Sequence, residues 1–160
     1  MKILNASPGF SPLLTKEDII SFLSHERHNI YLGTLDGKQE PNIHPTWYYY
    51  NKKNDKIYVE TAKNSKKVQN ISNANSDTIY FCVDDSTPPY KGVRGKGKTS
   101  LLSDSIDFNL GIAEKIMIKY LGSLDNPMAR VLLDNVRKGN SLLIEITPLY
   151  FSAWDYGKNN

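Results

Sequence analysis

The spacing of apolar residues changes several times along the chain, and each change marks an element. After Thr15, the run KEDIISFLSHE sets Ile19, Phe22 and Leu23 on one helical face. Thr15 is the expected N-cap, and Glu17 and Asp18 in the first turn suit the positive end of the helix dipole. The period then shortens to two. HNIYLGTL reads as a strand, Asp36-Gly37 as a two-residue hairpin turn, and QEPNIHPTWYYY as the return strand. Pro41 and Pro45 cannot donate to a ladder, so this strand is expected to be bulged or to lie at an edge there. NKKND turns the chain into a third strand, KIYVETA, and a short helix over 66–73 follows, with Val68 and Ile71 facing inward. TIYFCVD is a fourth strand, STPPY an irregular connection and KGVRGKGKTSLL a fifth strand. Helical spacing returns over 108–121, with Ile112, Ile116, Met117 and Tyr120 as one stripe. It returns again over 127–138, with Ala129, Leu132, Leu133 and Val136. NSLLIEITPLYFSAWDY closes the chain as a sixth strand.

Six strands, mostly hairpin-linked, with few helices predict a mainly β protein with flanking helices, built as an antiparallel barrel. There is no repeat, linker or shift in composition, so residues 1–160 read as a single domain, with 1–14 an N-terminal extension and 157–160 a tail. The 20 basic and 17 acidic residues leave a net charge of only +3, without the concentrated basic face of a nucleic-acid binder. No apolar run approaches the ~20 residues that a membrane-spanning helix needs. MKILNASPGFSPLL is short and broken by Pro8 and Pro12, unlike a signal peptide. Cys82 is the sole cysteine, which excludes an intrachain disulfide and a Cys-based zinc site. A cytoplasmic location is the expectation.

Three stretches carry candidate chemistry. In ETAKNSKKVQNI, Ser65 is placed to cap the short helix, which puts Lys66 and Lys67 in its first turn. Cations there oppose the helix dipole unless an anion sits against them. The pair is either a solvated couple on a surface helix or part of a phosphate cradle. The cradle would join the Ser65 and Thr61 hydroxyls, both ammonium groups and the free N–H groups of the turn, and the company of the serine and the threonine favours it. GVRGKGKT, residues 92–99, matches the phosphate-loop pattern, but Pro88-Pro89 precede it and no helical signal follows. As a strand it sets Arg94, Lys96 and Lys98 on one face and Gly95 and Gly97 on the other. In HPTWYYY, Trp47 and Tyr49 share one face and Tyr48 and Tyr50 the other. One face must serve the core, and the second could line a flat-ring pocket or a subunit interface. His25, His28 and His44 give no metal-ligand spacing, and there is no hydrolytic triad motif.

Taken in order, LGTLDGKQEPNIHPTWYYY, IYVETAKNSKKVQNI, DTIYFCVDDSTPPYKGVRGKGKTSLLSD and IEITPLYFSAWDY resemble the pyridoxamine 5′-phosphate oxidase-like superfamily, the flavin- and deazaflavin-binding split β-barrel proteins. The resemblance implies a six-stranded split barrel of Greek-key type, homodimeric, with the cofactor in a groove at the dimer interface. It maps Thr61, Ser65, Lys66 and Lys67 onto the cofactor phosphate, and Pro45, Thr46 and Trp47 onto the ring edge. Arg94, Lys96 and Trp154 would reach the same pocket. The implied function is an FMN-dependent oxidoreductase that transfers a hydride or electrons to or from a small molecule. The alternatives are a reductase using the deazaflavin coenzyme F-420, whose longer anionic tail Lys91, Arg94, Lys96 and Lys98 could track, and a flavin or haem carrier or sensor without turnover. Two departures matter. The chain ends SAWDYGKNN, without the arginine-rich segment that grips the substrate in vitamin B6 synthesis. Lys66 stands where the family usually has an arginine, which keeps the charge and loses the bidentate fork.

Overall fold

The strand segments carry apolar side chains at alternate positions, and in the computed structural model, which describes residues 2–25 and 27–158, they assemble into one sheet. Met1, Glu26 at the end of the first predicted helix, and Asn159 and Asn160 of the expected tail lie outside the described residues. In chain order the elements are β1 (Lys2–Asn5), α1 (Lys16–His25), β2 (Ile30–Leu35), β3 (Pro41–Thr46), β4 (Tyr49–Asn51), β5 (Lys56–Ala62), α2 (Lys66–Asn73), β6 (Thr78–Asp85), β7 (Lys91–Leu102), α3 (Ile106–Leu121), α4 (Pro127–Arg137) and β8 (Ser141–Asp155). The sheet order is β3-β2-β6-β7-β8-β5-β4, antiparallel throughout, and β1 lies parallel to β8.

Eight strands are therefore described where six were expected, for two reasons. The first is that the return strand divides. Its first half, β3, pairs with β2, while its second half, β4, pairs with β5. Only Trp47 and Tyr48 separate the halves, yet they form opposite ends of the sheet path. The sheet thus curls until both ends meet in one stretch of chain, without a hydrogen-bonded ring closing it. The prolines fit this arrangement, because β3 is an end strand and its missing donors cost few ladder bonds. The second reason is that the expected N-terminal extension contributes β1, whose residues Lys2 to Asn5 lie beside Tyr150 to Ala153. The two-residue turn at Asp36-Gly37 is also replaced. Leu35 pairs with Pro41 across a five-residue connection, Asp36 Oδ1 accepts from the Lys38 and Glu40 N–H groups, and Gln39 takes the left-handed conformation at φ 64°.

Two apolar clusters flank the sheet. On the inner side Ile30, Leu32, Ile57, Val59, Phe81, Val93, Ile144 and Phe151 meet Ile19 and Leu23 of α1 and Val68 of α2. On the other side of β5 and β8, Tyr58 and Leu143 meet Ile112, Ile116 and Met117 of α3 and Ala129, Leu133 and Val136 of α4. The aromatic run splits between them: Tyr48 and Tyr50 are buried in the first cluster, and Trp47 and Tyr49 pack on the second. Fully burying side chains of this size contributes about 1.5–3 kcal/mol each. The GVRGKGKT stretch lies within β7, its backbone laddered to β6 and β8, so it forms no phosphate loop. Its glycines mark close approach, since a Cβ on Gly95 would stand 2.5 Å from the Tyr150 carbonyl oxygen and 2.6 Å from the Phe81 ring. No helix among the described residues is long and apolar enough to cross a membrane.

Candidate functional site

The site begins where β5 ends. Three residues after Ala62 the chain turns into α2, which the burial of Val68 lays across the end of the sheet. Ser65 is the N-cap in an extended conformation, but its side chain makes no hydrogen bond to the helix it begins. Instead its hydroxyl accepts from Thr61 Oγ1 at 3.3 Å, and Lys67 Nζ donates to Thr61 Oγ1 at 2.9 Å. The first-turn N–H groups of α2 are thus left without a side-chain cap, beside a half-buried ammonium group. Burial pushes the Lys67 pKa below the ordinary lysine range, and the Glu60 carboxylate opposes that shift. Glu60 is itself pushed up by burial, against its bond to Ser141 and the Lys67 charge. Lys66 points to solvent, on the side of Asp36.

Two further strands complete the cluster. His44 on β3 shares a 2.9 Å hydrogen bond between its Nε2 and Thr34 Oγ1 on β2, and Asn70 Nδ2 of α2 donates to the same oxygen at 2.9 Å. Thr34 and Asn70 are buried. Burial, and then the Lys67 charge, hold the His44 pKa below its usual value, so the ring is neutral at physiological pH. The Lys67 ammonium group, the hydroxyls and the open helix terminus gather as donors, with the Glu60 carboxyl to one side of them, and such a set of donors suits an anion.

The remaining expected site residues lie elsewhere. Register places Pro45, Tyr31, Cys82, Arg94, Ser152 and Leu4 in one row across the outer face of the sheet. Ile43, Gly33, Tyr80, Lys96, Tyr150 and Lys2 form the next row. An open cavity of ≈ 470 Å³ lies over these rows, lined by Tyr31, Ile43, Tyr80, Arg94 and Tyr150 among others, and the Lys96 ammonium stands 5.6 Å from the Tyr80 ring centre. This cavity does not include Thr61, Ser65, Lys66 or Lys67. The link is β3, whose His44 faces the α2 cluster while its neighbours Ile43 and Pro45 face outward. Thr46 lies on the inner side, half-buried. Trp47 stacks flat on Tyr120 of α3, ring centres 4.9 Å apart, so one face of its indole is already covered. Trp154 packs against Gly92, in the row next to Arg94 and Ser152, and lines a second cavity beside α1 that does not include Arg94.

The family described as pyridoxamine 5′-phosphate oxidase matches residues 16–155 of the chain, from the start of α1 to the end of β8. The chain belongs to this family. No curated protein shows significant sequence similarity to it. Among solved structures, a conserved hypothetical protein of Mycobacterium tuberculosis is similar over 96% of this chain and 94% of its own, with 16% identity and a TM-score of 0.76. A protein described as an F420 reductase is similar over 82% and 94%, with 20% identity and a TM-score of 0.63. The haem storage protein HutZ of Vibrio cholerae is similar over 83% and 89%, with 14% identity and a TM-score of 0.61. At these identities the likeness is one of fold.

For this member of the pyridoxamine 5′-phosphate oxidase family, reading the sequence alone found Thr61, Ser65 and Lys67, which the structure brings together. It missed Thr34, His44 and Asn70. One signal was available: Asn70 falls between Val68 and Ile71, a polar residue in the buried phase of a short helix. The sequence offers His44 only as a metal-ligand candidate, and nothing local pairs it with Thr34 ten residues earlier.

Proposed function

We propose that this protein is a flavin-dependent oxidoreductase that binds FMN. The cofactor phosphate is held by Thr61, Ser65, Lys66, Lys67 and the first-turn N–H groups of α2. The ring follows β3 at Pro45, Thr46 and Trp47, and a second copy of the chain meets the outer face of the sheet. One observation carries the reading. The Ser65 hydroxyl is tied to Thr61 rather than to its own helix, and Lys67 is drawn in beside it, so donors and charge converge on the open helix terminus. Burying an ammonium there costs free energy, and a phosphate against it offsets that cost. When bound, the flavin supplies the hydride or electron transfer. The chain supplies orientation, a dry wall of aromatic side chains and the positive charge. Family membership supports a flavin or deazaflavin, and the Thr61–Ser65–Lys67 cluster supports a phosphate such as the single one of FMN.

A second reading is the deazaflavin coenzyme F-420. Arg94 and Lys96 stand on successive rows beside the outer cavity, where a longer anionic tail could run, and the fold is shared with a protein described as an F420 reductase. A third, a carrier without turnover, is supported by the fold shared with a haem storage protein. The absorption spectrum of the freshly purified protein distinguishes flavin, deazaflavin and haem. Ser65→Ala combined with Lys67→Ala removes two charge-assisted or anion-directed donors and weakens FMN binding about 100-fold or more. Full retention of FMN by that double variant removes the phosphate assignment.

A further inference from the structure

The buried pair Asn70 and Thr34 has no part in the phosphate cradle described above, yet both side chains are polar and set in an apolar surround. Burying an amide and a hydroxyl costs stability unless their hydrogen bonds are made, so their partners identify their role. Asn70 Nδ2 can only donate, and it donates to Thr34 Oγ1. Thr34 Oγ1 keeps one proton and a second lone pair, and His44 Nε2 lies 2.9 Å from it; a buried hydroxyl proton needs an acceptor, and this nitrogen accepts in the arrangement that leaves the Thr34 donor satisfied. A ring that accepts at Nε2 carries its proton on Nδ1. Nδ1 makes no hydrogen bond among the described residues, and the ring lies close enough to Lys67 to feel its charge.

We infer that Asn70, Thr34 and His44 form a directed hydrogen-bond chain that fixes the His44 imidazole as an Nδ1–H donor, and that this donor is a further ligand for the anionic group held beside Lys67 at the start of α2. The inference rests on the phosphate reading above and adds a third element to it. The anion is then gripped from β3 by His44, from β5 by Thr61, and from α2 by Ser65, Lys67 and the backbone. A second-layer pair that orients a histidine is worth its burial because it selects one tautomer and one ring direction. Thr34 and Asn70 are positioning residues, and His44 is the group that touches the ligand.

The test uses nitrogen-15-labelled full-length protein and two probes, inorganic phosphate and FMN. Long-range proton–nitrogen spectra of the ligand-free protein are expected to show His44 as the Nδ1–H tautomer, and Thr34→Val to mix the tautomers. Either probe is expected to shift the His44 Nδ1 resonance together with the amides of residues 66–68. His44→Ala is expected to weaken FMN about ten-fold, the size of one hydrogen bond to a charged group, and Thr34→Val by a smaller factor. An Nε2–H tautomer in the wild type, or FMN bound with no shift at His44 Nδ1, overturns the inference and leaves the flavin reading standing. Phosphate bound with the His44 shift in a protein that takes neither FMN nor F-420 supports the inference and sinks the flavin reading. A protein that binds no phosphate and no flavin overturns both.

Discussion

His44 and Lys67 are placed where burial disfavours their charged forms, and this makes the cluster sensitive to acid. The His44 pKa is depressed in the folded chain, so between the folded value and the ordinary value of about 6.5 the unfolded state binds more protons. Its contribution to stability is present above about pH 6.5 and is lost as pH falls through the folded pKa. Glu60 works in the opposite sense: its pKa is raised, so its contribution is greatest at low pH and is lost as pH rises. Lys67 titrates from a much higher starting value. The expected outcome is that His44→Gln flattens the fall in melting temperature between about pH 7 and pH 5 relative to wild type, because Glu60 and Lys67 are common to both proteins. Equal slopes would show that His44 does not titrate in that window. Residues of this kind define what the sequence could not disclose. Ser65, Thr61 and Lys67 stood out because seven consecutive positions hold all three, whereas the Asn70–Thr34–His44 chain joins three elements through side chains alone.

At the scale of elements, strands and helices were legible wherever a single period ran to a marked end. The β5 strand, the α2 helix and the β7 strand have the bounds read from the sequence. The failures were those of pairing. β3 and β4 share one uninterrupted alternation, so nothing local shows that the chain changes partners at Trp47 and Tyr48. β1 is four residues long and gains its order from β8, more than a hundred residues away. Helix starts show the same contrast between local and distant causes. Thr15 and Asp18 form a reciprocal capping box on α1: the Asp18 N–H donates to Thr15 Oγ1 at 3.2 Å, and the Thr15 N–H donates to the Asp18 carboxylate at 2.9 Å. Thr15→Ala therefore costs about 1 kcal/mol, read as a shift in the urea midpoint at unchanged slope. Ser65→Ala on α2 is expected to cost far less, because Ser65 caps nothing in the free protein. Equal losses from the two substitutions would show that Ser65 serves its helix rather than a ligand.

At the scale of the whole molecule, the outer face of the sheet is the feature a single chain does not account for. Ile43 is 65% exposed and Tyr80 59%, and Leu4 and Tyr31 extend the same patch around Arg94. Isolated exposed apolar side chains are ordinary, but a contiguous group on a sheet face is a candidate contact surface. A twofold pairing of this face would bury the aromatic rows against their copies. Each β3 would then stand beside the partner's sheet, so a ring lying along Pro45 and Trp47 would be enclosed from both sides. On this arrangement the wild type sediments at twice the mass of one chain, and Ile43→Asp with Tyr80→Asp sediments at the single mass. The same variant keeps the Thr61–Ser65–Lys67 cluster, which lies on the other side of β3, and so retains phosphate binding while FMN binds more weakly than to the dimer. A wild type that sediments as a monomer sinks the arrangement. A monomeric variant with undiminished FMN affinity keeps the dimer and moves the ring away from its interface.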